Sequence, residues 1–81
     1  DSRQELWVQF ADKEAFFKEE DALKGILTSY PGKNPVVIYC KTERAVNRLG
    51  RDYMVSGDEN LLFDLEKRYG KENIRVRSLG I

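Results

Sequence analysis

Histidine is absent from this chain, cysteine occurs once, proline twice, and no apolar run approaches the roughly 20 residues that a membrane span needs. Without histidine the commonest metal ligand and the commonest general base are missing. A single cysteine, Cys40, excludes an internal disulfide and a cysteine-based metal cluster, which fits a reducing compartment. Charge of one sign is lacking too: Lys plus Arg and Asp plus Glu stand at 14 each, so no overall field draws the chain to nucleic acid or to a membrane surface. The balance is uneven along the sequence, mildly acidic up to Tyr30 and mildly basic after it. No signal-peptide pattern opens the sequence. The first residue is Asp1 rather than methionine, so the chain is expected to be a piece of a longer protein whose function belongs to the parent.

What is present describes one small globular domain over residues 1–81. Hydrophobic residues make up 41% and charged residues 35%, too apolar for a disordered tail. Such a length buries only about 60% of the unfolded surface, enough for one thin core and no deep cleft. An enzyme is therefore not expected.

Leu6, Val8 and Phe10 alternate with Trp7 and Gln9, which predicts a strand with one buried face. A helix is expected over Asp12 to Tyr30, marked from about Glu19 by Leu23, Ile26, Leu27 and Tyr30 at helical spacing. Pro31 and Gly32 should stop it, the glycine by taking the left-handed conformation. The continuous run Pro35-Val36-Val37-Ile38-Tyr39-Cys40 reads as a strand buried on both faces. Lys41 to Gly50 reads as a polar hairpin whose return strand holds Ala45, Val46 and Leu49. Tyr53-Met54-Val55 offers a further short strand. Ser56-Gly57-Asp58-Glu59 fits a capping box that opens a second helix, with Leu61, Leu62, Leu65 and Tyr69 as its buried stripe and Gly70 as its end. Ile74 and Val76, alternating with Arg75 and Arg77, predict a last strand with one face inward and one charged. Tyr then Gly closes both helices, so the chain reads as one βα unit used twice.

The fold class expected is an α/β (α+β) two-layer sandwich, a βαββαβ mixed sheet with two helices. Two closures are open: a ferredoxin-like sheet, or an incomplete Rossmann-like sheet that places Val36 to Cys40 inside. The second suits the apolar character of that run, which an edge strand would not need.

Chemical motifs are sparse. Gly32-Lys33 is followed by Asn34 and lacks the earlier glycine of a P-loop, and no GxGxxG fingerprint occurs. Glu19, Glu20 and Asp21 occupy successive helical positions, fan over most of a turn and cannot converge on one ion. Cys40 has no histidine or glycine-rich loop to activate it. No catalytic residue, metal ligand, cofactor or small-molecule ligand is expected. Lys41, Arg44, Arg48 and Arg51 are candidate phosphate contacts on a projecting hairpin, set against a plain solvated hairpin because Glu43 and Asp52 interrupt them. Phe16 and Phe17 differ by about 100° around a helix, so either both pack through an irregular entry or one is exposed as a partner contact. Trp7 either meets the helices on the sheet's second face or marks a contact surface. Leu79 and Ile81, in the tail, are two more candidate partner anchors, set against a frayed end.

ELWVQF, ALKGILTSYPGKNPVVIYCKT and YMVSGDENLLFDLEKRYGKENIRV resemble, in that order, the small domain at the C-terminus of the bacterial replicative DNA polymerase III alpha subunit. The likeness rests on Pro31, Gly32, Pro35, Val36, Val55, Ser56, Leu61, Leu62, Leu65, Gly70, Asn73, Ile74 and Val76. It implies a cytoplasmic replisome protein whose parent is a DNA-directed DNA polymerase. The piece itself would be non-catalytic and would tether the polymerase to the tau subunit of the clamp loader. No docking residue transfers with the motif. The alternatives are a small nucleic-acid-binding domain using the Lys41 to Arg51 hairpin, with weak DNA contact, and a ferredoxin-like ligand-sensing domain.

Overall fold

A computed structural model describes residues 4–78. The alternating run at the front forms strand β1, Gln4–Phe10, with Leu6, Val8 and Phe10 buried and Trp7 and Gln9 half-exposed on the other face. Helix α1, Lys13–Thr28, follows at once. It starts regularly, because Asp12 accepts a hydrogen bond from the Ala15 amide at 2.8 Å and Glu43 accepts one from the Lys13 amide at 3.1 Å. There is thus no irregular entry. In a regular helix two adjacent phenylalanines cannot share a face, and Phe16 is 4% exposed while Phe17 is 63% exposed.

The two Tyr–Gly punctuations are different devices. After the first, strand β2, Pro31–Asn34, lies outside the main sheet and bridges Val55 from Pro31 and from Asn34. The Gly32 amide donates to the Met54 carbonyl at 3.1 Å and the Ser56 amide to the Tyr30 carbonyl at 2.8 Å. Gly32 is not in the left-handed region. Its role is close approach, since a Cβ there would lie 2.5 Å from Ser56 Cα and from the Val55 carbonyl carbon. Val55 is buried under this wrap, but Arg51–Tyr53 coils into a 3-10 turn, so the short strand expected at Tyr53 to Val55 reduces to the bridges at Val55. The second punctuation, Gly70, does take the left-handed sign, with φ 94°, and its amide caps helix α2, Glu59–Tyr69, by donating to the Glu66 carbonyl at 2.9 Å.

The start of α2 departs from the expected capping box. Asp58 is the cap, accepting from the Asn60 amide at 2.9 Å, and Ser56 accepts only from the Asp58 amide at 3.3 Å. A capping box needs the Ser56 amide for the returning carboxylate. That amide is already committed to Tyr30.

Strand β3, Val36–Cys40, runs parallel to β1; β4, Ala45–Arg48, is antiparallel to β3, and β5, Ile74–Ser78, is antiparallel to β1. The order across the sheet is β4-β3-β1-β5. The protein is a two-layer α/β sandwich in which Val36–Cys40 is an interior strand: Val36, Ile38 and Cys40 face the helices, while on the other face Val37 is buried and Tyr39 half-buried. Leu6, Val8, Phe10, Val36, Ile38 and Cys40 face Phe16, Leu23 and Leu27 of α1 and Leu61 and Leu65 of α2 in one core. Phe10 packs at a tilt against Phe16, ring centroids 5.5 Å apart, and edge-on at 5.4 Å to Tyr69, closing one end of that core. Val76 pairs with Leu6 on the same face but is 40% exposed, because β5 is an edge strand. No described helix is long and apolar enough to cross a membrane.

Candidate functional site

Both helices cover one face of the sheet, and the period of two sends a second set of side chains to the other face. Register fixes the set: Trp7 lies beside Val37 and Arg75, Glu5 beside Arg77, Gln9 beside Tyr39, Tyr39 beside Val46, and Val37 beside Arg48. Val37, though fully buried, lies outside the helix-side core and belongs to this face.

Polar contacts organise the open face. Glu5, 3% exposed, accepts from the Trp7 indole Nε1 at 2.7 Å and from Arg48 Nη1 at 2.5 Å. The hydrogen bond from Arg48 holds the Glu5 carboxyl below its usual value against the opposing cost of burial, and the indole N–H helps. The Arg77 guanidinium lies 5.5 Å over the indole ring. Beside it Gln9 donates to Asn73 at 3.2 Å, and Asn73 donates to the Tyr69 carbonyl at 2.6 Å. A hollow of about 130 Å³ opens here between Trp7, Tyr39, Arg75 and Arg77.

A second, apolar hollow of about 260 Å³ sits where the start of α1 meets β4, lined by Phe16, Phe17, Cys40, Ala45 and Val46. Val46 lies on the return strand, as expected, and is 53% exposed because it pairs with Tyr39 on the uncovered side. Phe17 leans on Phe16 with ring centroids 5.7 Å apart and leaves its outer surface in solvent. Cys40 forms part of the floor, and burial pushes its thiol up, away from reactivity.

The candidate residues separate accordingly. Trp7 belongs to the open face and Phe17 to the apolar hollow. Phe16 is corrected: its ring is core, packed on Phe10 and only 4% exposed, so of the two phenylalanines it is Phe17 that presents surface to a partner. Leu79 and Ile81 lie outside the described residues. Lys41, Arg44, Arg48 and Arg51 are all exposed, and Lys41 and Arg44 share the hairpin turn, where the Arg44 amide donates to the Lys41 carbonyl at 3.1 Å, but the four are spread along the chain from that turn onward. Arg44 sits at the hairpin tip with φ 52°, Arg48 lies four residues along a strand and so about 13 Å away, and Arg51 follows in the 3-10 turn. Arg48 also turns to the open face, where Glu5 holds it. Glu43, which interrupts this basic run, has a positive task at the N-terminus of α1.

Sequence reasoning missed Glu5, Tyr39, Arg75 and Arg77 as a group. The signal was the phase of alternation in β1 and β5, which puts Trp7, Arg75 and Arg77 away from the core. It needed the strand order to become a site. Comparison with protein-family models, with curated proteins and with solved structures returned no match.

Proposed function

We propose that this chain is a non-catalytic protein-interaction module, the tether that its resemblance to the C-terminal domain of the bacterial DNA polymerase III alpha subunit implies, with the tau subunit of the clamp loader as partner. The polymerase chemistry of such a parent would lie elsewhere in it. The observation that carries the reading is the apolar hollow where Phe17, a large side chain 63% exposed, stands beside Ala45 and Cys40 at the edge strand β4. Exposed apolar surface next to unpaired strand backbone suits a partner segment that adds along β4 and buries a side chain on Phe17. The positions behind the resemblance act mainly in folding: Gly32 allows close approach, Val55, Leu61, Leu65 and Ile74 fill the core, and Gly70 ends a helix. Docking residues must therefore be sought at other positions, and the partner is left to experiment.

The test is an amide chemical-shift titration of the labelled chain with the C-terminal domain of the tau subunit, repeated with Phe17→Ser. Saturable shifts centred on Phe17, Ala45 and Val46, weakened tenfold or more in the variant, are the expected result. No shifts, or shifts elsewhere that Phe17→Ser leaves unchanged, would remove the proposal.

A further inference from the structure

The open sheet face carries a different chemistry from the apolar hollow, and it does not depend on the docking reading. Its two aromatic residues, Trp7 and Tyr39, stand on the two central strands β1 and β3. Because Trp7 pairs with Val37 and Gln9 with Tyr39, the two are diagonal neighbours, about 8 Å apart from the strand spacing and rise. Arginines flank them on both edge strands, Arg48 on β4 and Arg75 and Arg77 on β5. Arg48 is neutralised by Glu5. Neither Arg75 nor Arg77 has a carboxylate within 4.0 Å among the described residues; Glu72 also lines the hollow, so the two arginines outweigh it and the site keeps a net positive charge among the described residues.

We infer that this face binds single-stranded nucleic acid, with bases stacked on Trp7 and Tyr39 and the backbone phosphates held by Arg75 and Arg77. Stacking is sequence-tolerant because every base has a flat face, and flanking cations supply the phosphate contacts. The bond from the indole N–H to Glu5 fixes the ring's orientation before binding, so little rotamer freedom is lost when a base arrives. Arg77, now over the indole, is within reach of either role, as a further flat layer in the stack or as a phosphate contact. Gln9 also lines the hollow, its amide nitrogen donating to Asn73, and its carbonyl oxygen would be the group offered to a base edge. An acidic peptide would satisfy the arginines and leave the paired aromatic platforms without purpose. Duplex nucleic acid presents no free base faces to them.

Trp7 is the sole tryptophan, so its fluorescence reports the site directly. The chain is titrated with a twelve-nucleotide oligothymidylate, the matching oligouridylate, a duplex of equal length and polyglutamate, at low and physiological salt. Saturable quenching by either single strand, stronger than by duplex and absent with polyglutamate, is expected, and the tighter of DNA and RNA identifies the source. Tyr39→Ala should weaken binding about 5- to 100-fold. Arg75→Ala should lower the slope of log affinity against log salt by about 0.7. Both variants leave the helix-side core intact, and thermal melts confirm that they are folded. For Trp7→Ala the readout is anisotropy of a labelled oligonucleotide. Equal quenching by polyglutamate, preference for duplex, no quenching at low salt, or dependence on Arg44 and Arg51 with indifference to Tyr39 and Arg75 would each overturn the inference. Any of those results leaves the Phe17 proposal standing.

Discussion

Glu5 ties three strands together from the open face: it sits on β1, accepts from Trp7 on the same strand and from Arg48 on β4, and lies in register with Arg77 on β5. Its carboxyl is held below the usual 4.5, first by the hydrogen bond from Arg48. In the unfolded chain the group takes a proton near 4.5, while the folded chain resists until the pH is lower. The pair therefore stabilises the fold above about 4.5, and that stability is lost as the pH falls through the folded-state value. Glu5→Gln keeps the shape and an acceptor for the indole but removes the ion pair. It is expected to cost about 1 kcal/mol at neutral pH, roughly 4–8 °C in Tm, and the gap to the parent chain should close on acidification below 4.5. Melting curves from pH 7 to 3 that stay a constant distance apart would show that the pair does not titrate in this way. None of this was readable in advance. Glu5 and Arg48 are 43 positions apart, and Arg48 looked like a phosphate contact only because sequence does not say which strands are neighbours. The alternation of Leu6, Val8 and Phe10, by contrast, was plain, since period two is a local property of one strand.

At the scale of elements, both helices and the strands of the sheet were legible because each carries its own periodicity. Their ends were less so, because ends are settled by contacts from elsewhere in the chain. α1 begins at Lys13 partly through Glu43, thirty positions away. α2 begins at Glu59 because the Ser56 amide is already bound to Tyr30, which leaves Asp58 as the side chain free to cap. A local pattern finds Ser56 and Glu59 and has no means of knowing about Tyr30. The assignment is testable: Asp58→Ala should cost about 0.5–2 kcal/mol in denaturant unfolding, while Ser56→Ala, which gives up only the 3.3 Å contact to the Asp58 amide, should cost clearly less. The reverse ranking would restore the capping box.

Across the whole molecule, the strand order depends on one piece of sequence information and is otherwise hidden. Val36 to Cys40 is apolar on both faces, and that alone argues for an interior place; nothing local says that the last strand pairs with the first. In the order β4-β3-β1-β5, β1 is flanked by a strand from mid-chain and by the final strand, so no N-terminal portion closes its own sheet. Ending the chain after Gly70 would strip the backbone partners of Gln4 to Val8 and remove Ile74 from the core beside Leu61 and Leu65. Such a fragment keeps both helices and the β1–β3 pair, yet exposes a long apolar edge strand with no charge on its inner face. Local helix should survive in it while cooperative packing does not. Far-UV circular dichroism should therefore retain a helical signal with a broad, gradual melt in place of one sharp transition, and the fragment should associate as its concentration rises. A sharp, concentration-independent melt of the fragment would mean instead that β1 and β3 with the two helices form a self-sufficient core, and that β5 serves chiefly to carry Arg75 and Arg77 to the open face.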